Sequence, residues 1–344
     1  ADINVFDIMQ GVAITIFIKT GKKKNNELGQ VYHFDLFGKR EFKYDFLVDN
    51  SLKTVHFNEI PNNPPMYYMV KMNLVKEGIY KKGFSLNDLF IINGNGITTA
   101  HDSFVIKDTK AELYDWFEKF KNTERNEDLL HSMFNVKKKD GWNILEGYDN
   151  IRKSTSKLND YIKKIKYRPF GDKFIFYEDK LVWRTVRKVM QHYIIEENIG
   201  LLCPKAFKDN AFSHIFVTNI ITEAIFLSSQ TGSNAMNLPL YLYEIESSQL
   251  NIDKTLKRIP NLKSDIVNQI SNSLGSNFSF TNEKETTENT FSPIDILDYI
   301  YAVLHSPTYR EKYKEFLKID FPRVPYPKDA NTFWQLVKLG GELR

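Results

Sequence analysis

Cysteine is nearly missing. Cys203 is the only one in 344 residues, which excludes an internal disulfide and fits a reducing compartment, the cytoplasm. A lone thiol with no patterned histidine reads as core packing. Long apolar runs are scarce too. The longest, Phe212 to Leu227, carries Asn219 and Glu223, so it is no membrane span, and no secretory leader is visible at the start. Charge of one sign is in short supply. Lys+Arg 47 against Asp+Glu 43 leaves a net +4, with a pI near 8.7, compatible with a nucleic-acid partner without demanding one. Tandem repeats are absent, and so is a well-formed glycine-rich nucleotide turn. Gly94-Asn95-Gly96 follows the apolar run Leu89–Ile92, yet no acidic residue closes that turn before a good helix.

What the chain has is apolar and aromatic mass. Hydrophobic residues make up 42%, with 26 Phe and 18 Tyr, enough for a sizeable core or an aromatic binding face. Residues 4–48 read as strands. Within them Val12, Ala13, Ile14, Ile16, Phe17 and Ile18 are too continuous for a one-sided strand, so this strand is expected to be buried on both faces of a larger sheet. The chain thus reads as beginning inside a fold. Lys22, Lys23 and Lys24 fall in the following loop, either as a solvated loop or as a phosphate contact.

Residues 51–82 are irregular and Pro-rich. Short strands are expected over 84–107. The spacing of Leu113, Trp116, Phe117 and Phe120 predicts a helix. Residues 121–140, including Lys137-Lys138-Lys139, read as charged and exposed. Residues 160–188 are the most basic and aromatic part of the chain. After them, Val186, Val189, Met190 and Tyr193 predict an apolar helix face, with Arg184, Arg187 and Lys188 together on another. Strands are expected at 215–220 and 240–245. A helix capped by Ser264 should carry Ile266, Val267, Ile270 and Leu274. Residues 276–290 read as a long polar connection. Ser306-Pro307 should end one C-terminal helix and start the next, whose buried side carries Tyr309, Tyr313, Phe316 and Leu317. Arg310, Lys312, Lys314 and Lys318 fall on its polar side, the usual place for solvated charge.

Three motifs suggest catalysis and each is incomplete. Asn63-Pro64-Pro65-Met66 resembles the Asn-Pro-Pro-aromatic signature of enzymes that methylate a base amino group, in which a ring stacks on a flipped base. Here Met stands at the aromatic position. The only glycine turn, at 94–96, lies too close downstream for the intervening elements of such a sheet. Asp172 with Glu178-Asp179-Lys180 matches the minimal layout of a metal-dependent nuclease, in which carboxylates hold the ion and a Lys stabilises the developing charge. A strand ending in a polar turn explains the same residues.

The opening run 4–19, Ser85–Asp102, Tyr167-Arg168-Pro169-Phe170, Pro239–Tyr243 and the tail 291–327, taken in order, resemble the C-terminal part of adenine-specific DNA methyltransferases in single-chain restriction–modification enzymes, the type ISP group. The likeness runs through nearly the whole chain. It implies an α+β fold: residues 1–50 as terminal strands of a methyltransferase sheet, 51–82 as linker, 83–290 as target recognition domain and 291–344 as a helical section. It implies double-stranded DNA and a catalytic methyltransferase domain of the same parent chain as partners, and no membrane. It implies no cofactor in this chain, with S-adenosylmethionine, and in longer members ATP and magnesium, serving the parent. The family's cofactor glycines and catalytic Asn-Pro-Pro-Tyr would precede residue 4. No catalytic or metal residue is therefore assigned.

The function expected is a DNA sequence-recognition module; the alternative is a metal-dependent nuclease using Asp172, Glu178 and Lys180. Lys and Arg on phosphates fix register, and side chains at base edges give specificity. The candidates are Lys163, Lys164, Lys166 and Lys173 on phosphate, Arg184 and Arg187 in a groove, and Lys22, Lys23, Lys24, Thr98 and Thr99 as further contacts. Arg168 either joins them or pairs with a buried acid. Phe174, Phe176 and Tyr177 are expected in the core.

Overall fold

The computed structural model describes residues 2–8, 11–24, 26–64, 67–206, 214–227, 234–246, 255–280 and 290–344, with only the backbone at 245, 246 and 255. The chain forms two compact units, 1–77 and 78–344.

In the first unit Val31–His33 pairs antiparallel with Asn58–Ile60, and the Arg40–Asp49 helix follows the first strand. Phe34 stacks on Phe46 at 5.5 Å and meets Phe57 edge-on at 6.2 Å. The segment before the strand is tied to the helix by polar contacts. Arg40 bonds the Asn4 carbonyl and Asp7, and Lys43, buried, bonds the Ile3 carbonyl at 2.9 Å and Asp2 at 2.7 Å.

Two expectations fail in this unit. Residues 4–48 are not a set of strands, since they hold one three-residue strand and a helix. The run 11–20 is not buried on both faces: Ile14, Phe17 and Ile18 are about four-fifths exposed (82%, 82% and 80%). Among the described residues nothing pairs with its backbone, and a strand exists only through a ladder partner. In the 63–66 motif, Pro65 and Met66 lie outside the described residues; the Tyr67 amide closes a turn onto the Asn63 carbonyl.

The second unit is a mixed α+β domain. Its first sheet has the order Ile221–Thr222, Ile162–Arg168, Gly171–Phe176, Ile106–Lys107. The outer Ile221–Thr222 strand runs parallel to its neighbour, and the two central strands form an antiparallel hairpin. Three helices, Lys110–Asn122, Glu127–Met133 and Ile144–Lys153, help build its core. Their starts are fixed by Thr109, Asn126 and Asn143, whose side chains accept backbone amides of the first turn. Phe117 lies on Phe176 with ring centres 3.7 Å apart, and Phe104, Phe120, Phe134 and Tyr148 close round them edge-on. The 121–140 segment is thus not simply an exposed charged stretch. Leu130, Phe134 and Val136 are buried: the short Glu127–Met133 helix turns Leu130 inward, and the chain that folds back on its end, with the Phe134 and Val136 amides bonded to the Leu130 and His131 carbonyls, does the same for the other two.

A second sheet has the order Gly94–Asn95, Met236–Pro239, Gly200–Cys203, Phe216–Thr218. Cys203 lies fully buried in it, and burial raises its thiol pKa far above the ordinary range. The Tyr241–Glu246 and Thr255–Pro260 strands form a separate hairpin. Ser264 is the first residue of the Ser264–Leu274 helix, not its cap; Lys263 holds that place and offers no side-chain acceptor. Of the 276–290 connection, residues 281–289 lie outside the described residues.

At the C-terminal end, Pro293–His305 and Pro307–Leu317 each start with Pro in the first turn, and Ser306 caps the second through the Tyr309 amide. Pro293–His305 packs closely on Ala330–Leu343. A side chain at Gly340 would run into the Asp298 carbonyl, and Arg344 forks onto the Asp298 carboxylate at 2.6 and 3.0 Å. Among the described residues no helix is long and apolar enough to cross a membrane.

Candidate nucleic-acid interface

The candidate site forms where the two sheets share backbone. The strand Ile221–Thr222 lies parallel to Ile165-Lys166 and continues past it: the Glu223 amide donates to the Lys166 carbonyl at 2.9 Å. On its other side the Ile97 amide donates to Thr222, and Ala224 returns a bond to Ile97, both at 2.8 Å. This close approach requires glycine at 96, since a Cβ there would sit 2.5 Å from the Glu223 carbonyl. Thr98 then exchanges backbone bonds with Arg184, at 2.9 and 3.1 Å. The result is a polar cleft of about 610 Å³, lined by Thr98 to Ser103, Asn135, Lys137, Arg168, Glu223 and Ile225.

Charges in the cleft are arranged in layers. Arg168 donates to the Glu223 carboxylate at 2.5 Å and lies over its neighbour Tyr167 at 4.1 Å. Glu223 is 4% exposed; it also accepts the Ile225 amide, and burial holds its carboxyl above the ordinary range. Below them Asp102 accepts the hydroxyls of Thr99 and, at 2.7 Å, Tyr167. Burial and this bond push the Tyr167 hydroxyl up to about 12. His101 stacks near Trp142 at 4.6 Å, its buried Nε2 without a hydrogen-bond partner, and burial lowers its pKa.

The predicted residues divide by what already holds them. Lys164 and Lys166 share one strand face and both contact Asp172, at 2.9 and 2.7 Å. Lys173 reaches Asp108 at 2.9 Å and lies over Tyr167. Arg187 pairs with Asp179 at 2.9 Å. Lys163 and Arg184 have no carboxylate partner among the described residues, and Arg184 is exposed at the cleft edge beside Thr98. Thr99 is buried and engaged with Asp102. Lys22, Lys23 and Lys24 are exposed in the first unit. Arg184 does not share a helix with Arg187 and Lys188, as the spacing suggested. Only Arg187–Met190 is α-helical there, and Val186 before it is left-handed.

The nuclease layout does not assemble. Asp172 lies near the start of the Gly171–Phe176 strand and Glu178 beyond its end, so four strand steps, about 13 Å, separate Asp172 from Phe176 before the chain turns to Glu178. Asp172 serves two lysines. Glu178 serves the turn instead, accepting the amides of Lys180 at 2.8 Å and Leu181 at 2.9 Å and the Asn150 side chain at 2.6 Å. Lys180 turns away to Glu146 at 3.0 Å. Nor do the glycines fit a methyl-donor site. Gly94-Asn95 is a sheet strand paired with Met236-Asn237, and Gly96 presses on the Glu223 backbone, so no amide cradle opens there.

Sequence reasoning missed Lys137, Asn135 and Glu223. Glu223 left a signal, as a lone carboxylate in the apolar 212–227 run. Such a residue, if buried, needs a cation, and Arg168 is that cation.

A mixed α+β domain whose cationic hairpin borders a polar cleft has the makings of a binding module. The chain belongs to the Type ISP C-terminal specificity domain family, which matches residues 88–344. No curated protein matches. Among solved structures it is similar to the DrdV–DNA complex seen by cryo-electron microscopy (18% identity, TM-score 0.62, 91% of this chain and 30% of that one). The ATP-dependent Type ISP restriction–modification enzyme LlaBIII bound to DNA gives 18% identity and a TM-score of 0.58, over 83% of this chain and 18% of that one. A nuclease-deletion mutant of the Type ISP enzyme LlaGI with a DNA substrate mimic gives 18% and 0.58, over 93% and 24%. At this identity the likeness is one of fold, and the chain spans less than a third of each.

Proposed function

We propose that this chain reads duplex DNA sequence and sets the register of the duplex for an adenine-methylating catalytic domain of the same parent enzyme. The match of residues 88–344 to a specificity-domain family carries this reading; the structure supports it by suggesting which side chains are free to act. Lys163, Lys137 and Arg184 are cations without carboxylate partners among the described residues, the last two at the cleft. They are the first contacts to phosphate or base edge. Lys164, Lys166 and Lys173 each have a carboxylate to exchange for phosphate. Arg168 is held by Glu223 with about a third of its side chain exposed (32%), a fork oriented for an acceptor in the cleft. Thr98 offers a hydroxyl to the same space. On this reading S-adenosylmethionine serves the parent's catalytic domain, and ATP and magnesium are called for only in a parent that carries a translocase.

The test is the salt dependence of duplex binding. Removing one phosphate-bound cation flattens log K against log salt by about 0.9, so the Lys163→Ala, Arg184→Ala double variant should flatten it by about 2 if both meet phosphate. No binding at low salt, or an unchanged slope with unchanged affinity, would overturn the placement.

A further inference from the structure

The tip of the cationic hairpin breaks the rules of a stable turn. Arg168 and Gly171 are cross-strand partners, so Pro169 and Phe170 form its two-residue loop. Pro suits the first central position of a type II turn, and the second position then takes a positive φ and with it glycine. Phe170 has φ +64°, a region bulky residues avoid. It is also 97% exposed, the highest value among large apolar side chains of the described residues. Glycine at this position would remove both the strain and the exposed ring. Phe170 packs almost nothing in return: the ring it meets is Phe216, edge-on with centres 6.3 Å apart.

The ring has a cationic shaft behind it. Lys163, Lys164, Lys166 and Arg168 lie on the strand that leads to the tip, and Lys173 on the strand that leaves it. A polyanion with a stacked aromatic interior is complementary to that pattern. We infer that Phe170 inserts at a base step of the bound duplex, partly unstacking it, while the hairpin's cations hold the flanking phosphates. This rests on the DNA-binding reading above and adds a wedge that bends the duplex.

The experiment uses the full chain and a 30-base-pair duplex enriched on it from a random library, with a fluorophore at each end. Wild type should shorten the end-to-end distance by energy transfer. Phe170→Gly should bind about tenfold more weakly, leave the duplex straight, and melt at a higher temperature than wild type. Phe170→Leu, an apolar wedge without strain relief by glycine, should retain most of the bend. Equal affinity and equal bending in Phe170→Gly would overturn the inference and point to another protein as the ring's partner. Weaker binding with an unchanged bend would also overturn insertion, leaving surface contact only. Failure of the wild type to bind any duplex would overturn the DNA reading itself, a separate outcome.

Discussion

Glu178 discriminates between a structural acceptor and a catalytic ligand. It is 2% exposed. One carboxylate oxygen accepts the Lys180 and Leu181 amides at 2.8 and 2.9 Å, and the other the Asn150 side chain at 2.6 Å. Hydrogen bonds to a charged acceptor contribute about 1.5–3 kcal/mol and neutral ones about 0.5–1.5. Glu178→Gln keeps the shape but has one acceptor oxygen; with that oxygen on the two amides, its NH2 faces Asn150, whose side-chain amide must flip to accept, and the set weakens by roughly 3 kcal/mol in all. Relief of a poorly solvated charge offsets part of this, since burial already holds the carboxyl above its ordinary range. The net loss is about 1–2 kcal/mol, or about 5 °C in melting temperature for a unit of this size. Glu178→Ala leaves the Lys180 amide and the Asn150 side chain without this acceptor, at about 1–3 kcal/mol each, while the Leu181 amide keeps its longer bond to the residue 178 carbonyl at 3.3 Å; it should melt well below Glu178→Gln. Differential scanning calorimetry of both variants, alongside magnesium-dependent cleavage of a plasmid, separates the roles. A Glu178→Gln chain that melts with wild type would rule out the structural role, and a wild type that cuts DNA when Glu178→Gln does not would make Glu178 a catalytic ligand.

Further outcomes follow from the cleft and from three histidines, one buried and two half-buried. Glu223→Gln should release Arg168 toward phosphate and steepen the salt slope of DNA binding by about 0.9, measured by fluorescence anisotropy; an unchanged slope would show that Arg168 never reaches the backbone. Burial depresses the pKa values of His101, His192 and His305. Their contribution to stability is therefore intact above the ordinary value of 6.5 and is lost as pH falls through the folded values, at up to about 1.4 kcal/mol per pH unit for each histidine. Glu178 and Glu223 have the opposite sign, favouring the fold below 4.5 and losing that as pH rises through their raised values. His192 Nδ1 accepts the Tyr243 amide at 3.1 Å, a bond that a proton abolishes. Urea midpoints should fall from pH 7 to 5.5, and His192→Asn, which keeps an acceptor there, should flatten the fall; an equally steep fall in the variant would exclude His192.

Local patterning made much of the larger unit legible. The Leu113, Trp116, Phe117, Phe120 spacing and the Ser306-Pro307 junction mark helices, because an apolar stripe and a cap act within one or two turns. The buried partner of Arg168 was foreseeable in kind but not in identity. Glu223 lies 55 positions away and meets Arg168 only because a short parallel strand inserts between the hairpin and residues 97–98. Arg184 was misplaced for the same reason: its neighbour is Thr98, a contact made by backbone and invisible to helical periodicity. The opening run misled differently. A continuous apolar run predicts a strand buried on both faces only if ladder partners are at hand, and none of the described residues provides one. The Glu127–Met133 helix was missed because Leu130, Met133 and Phe134 span barely one turn of apolar stripe between charged neighbours.

Discrimination among DNA sequences is read most plainly from competition at physiological salt between a duplex enriched from a random library and a scrambled duplex of equal length. A specificity module should prefer the enriched duplex on the order of a thousandfold or more, and substitutions at the cleft should reduce that preference. Equal affinity for the two duplexes, however tight, would contradict it.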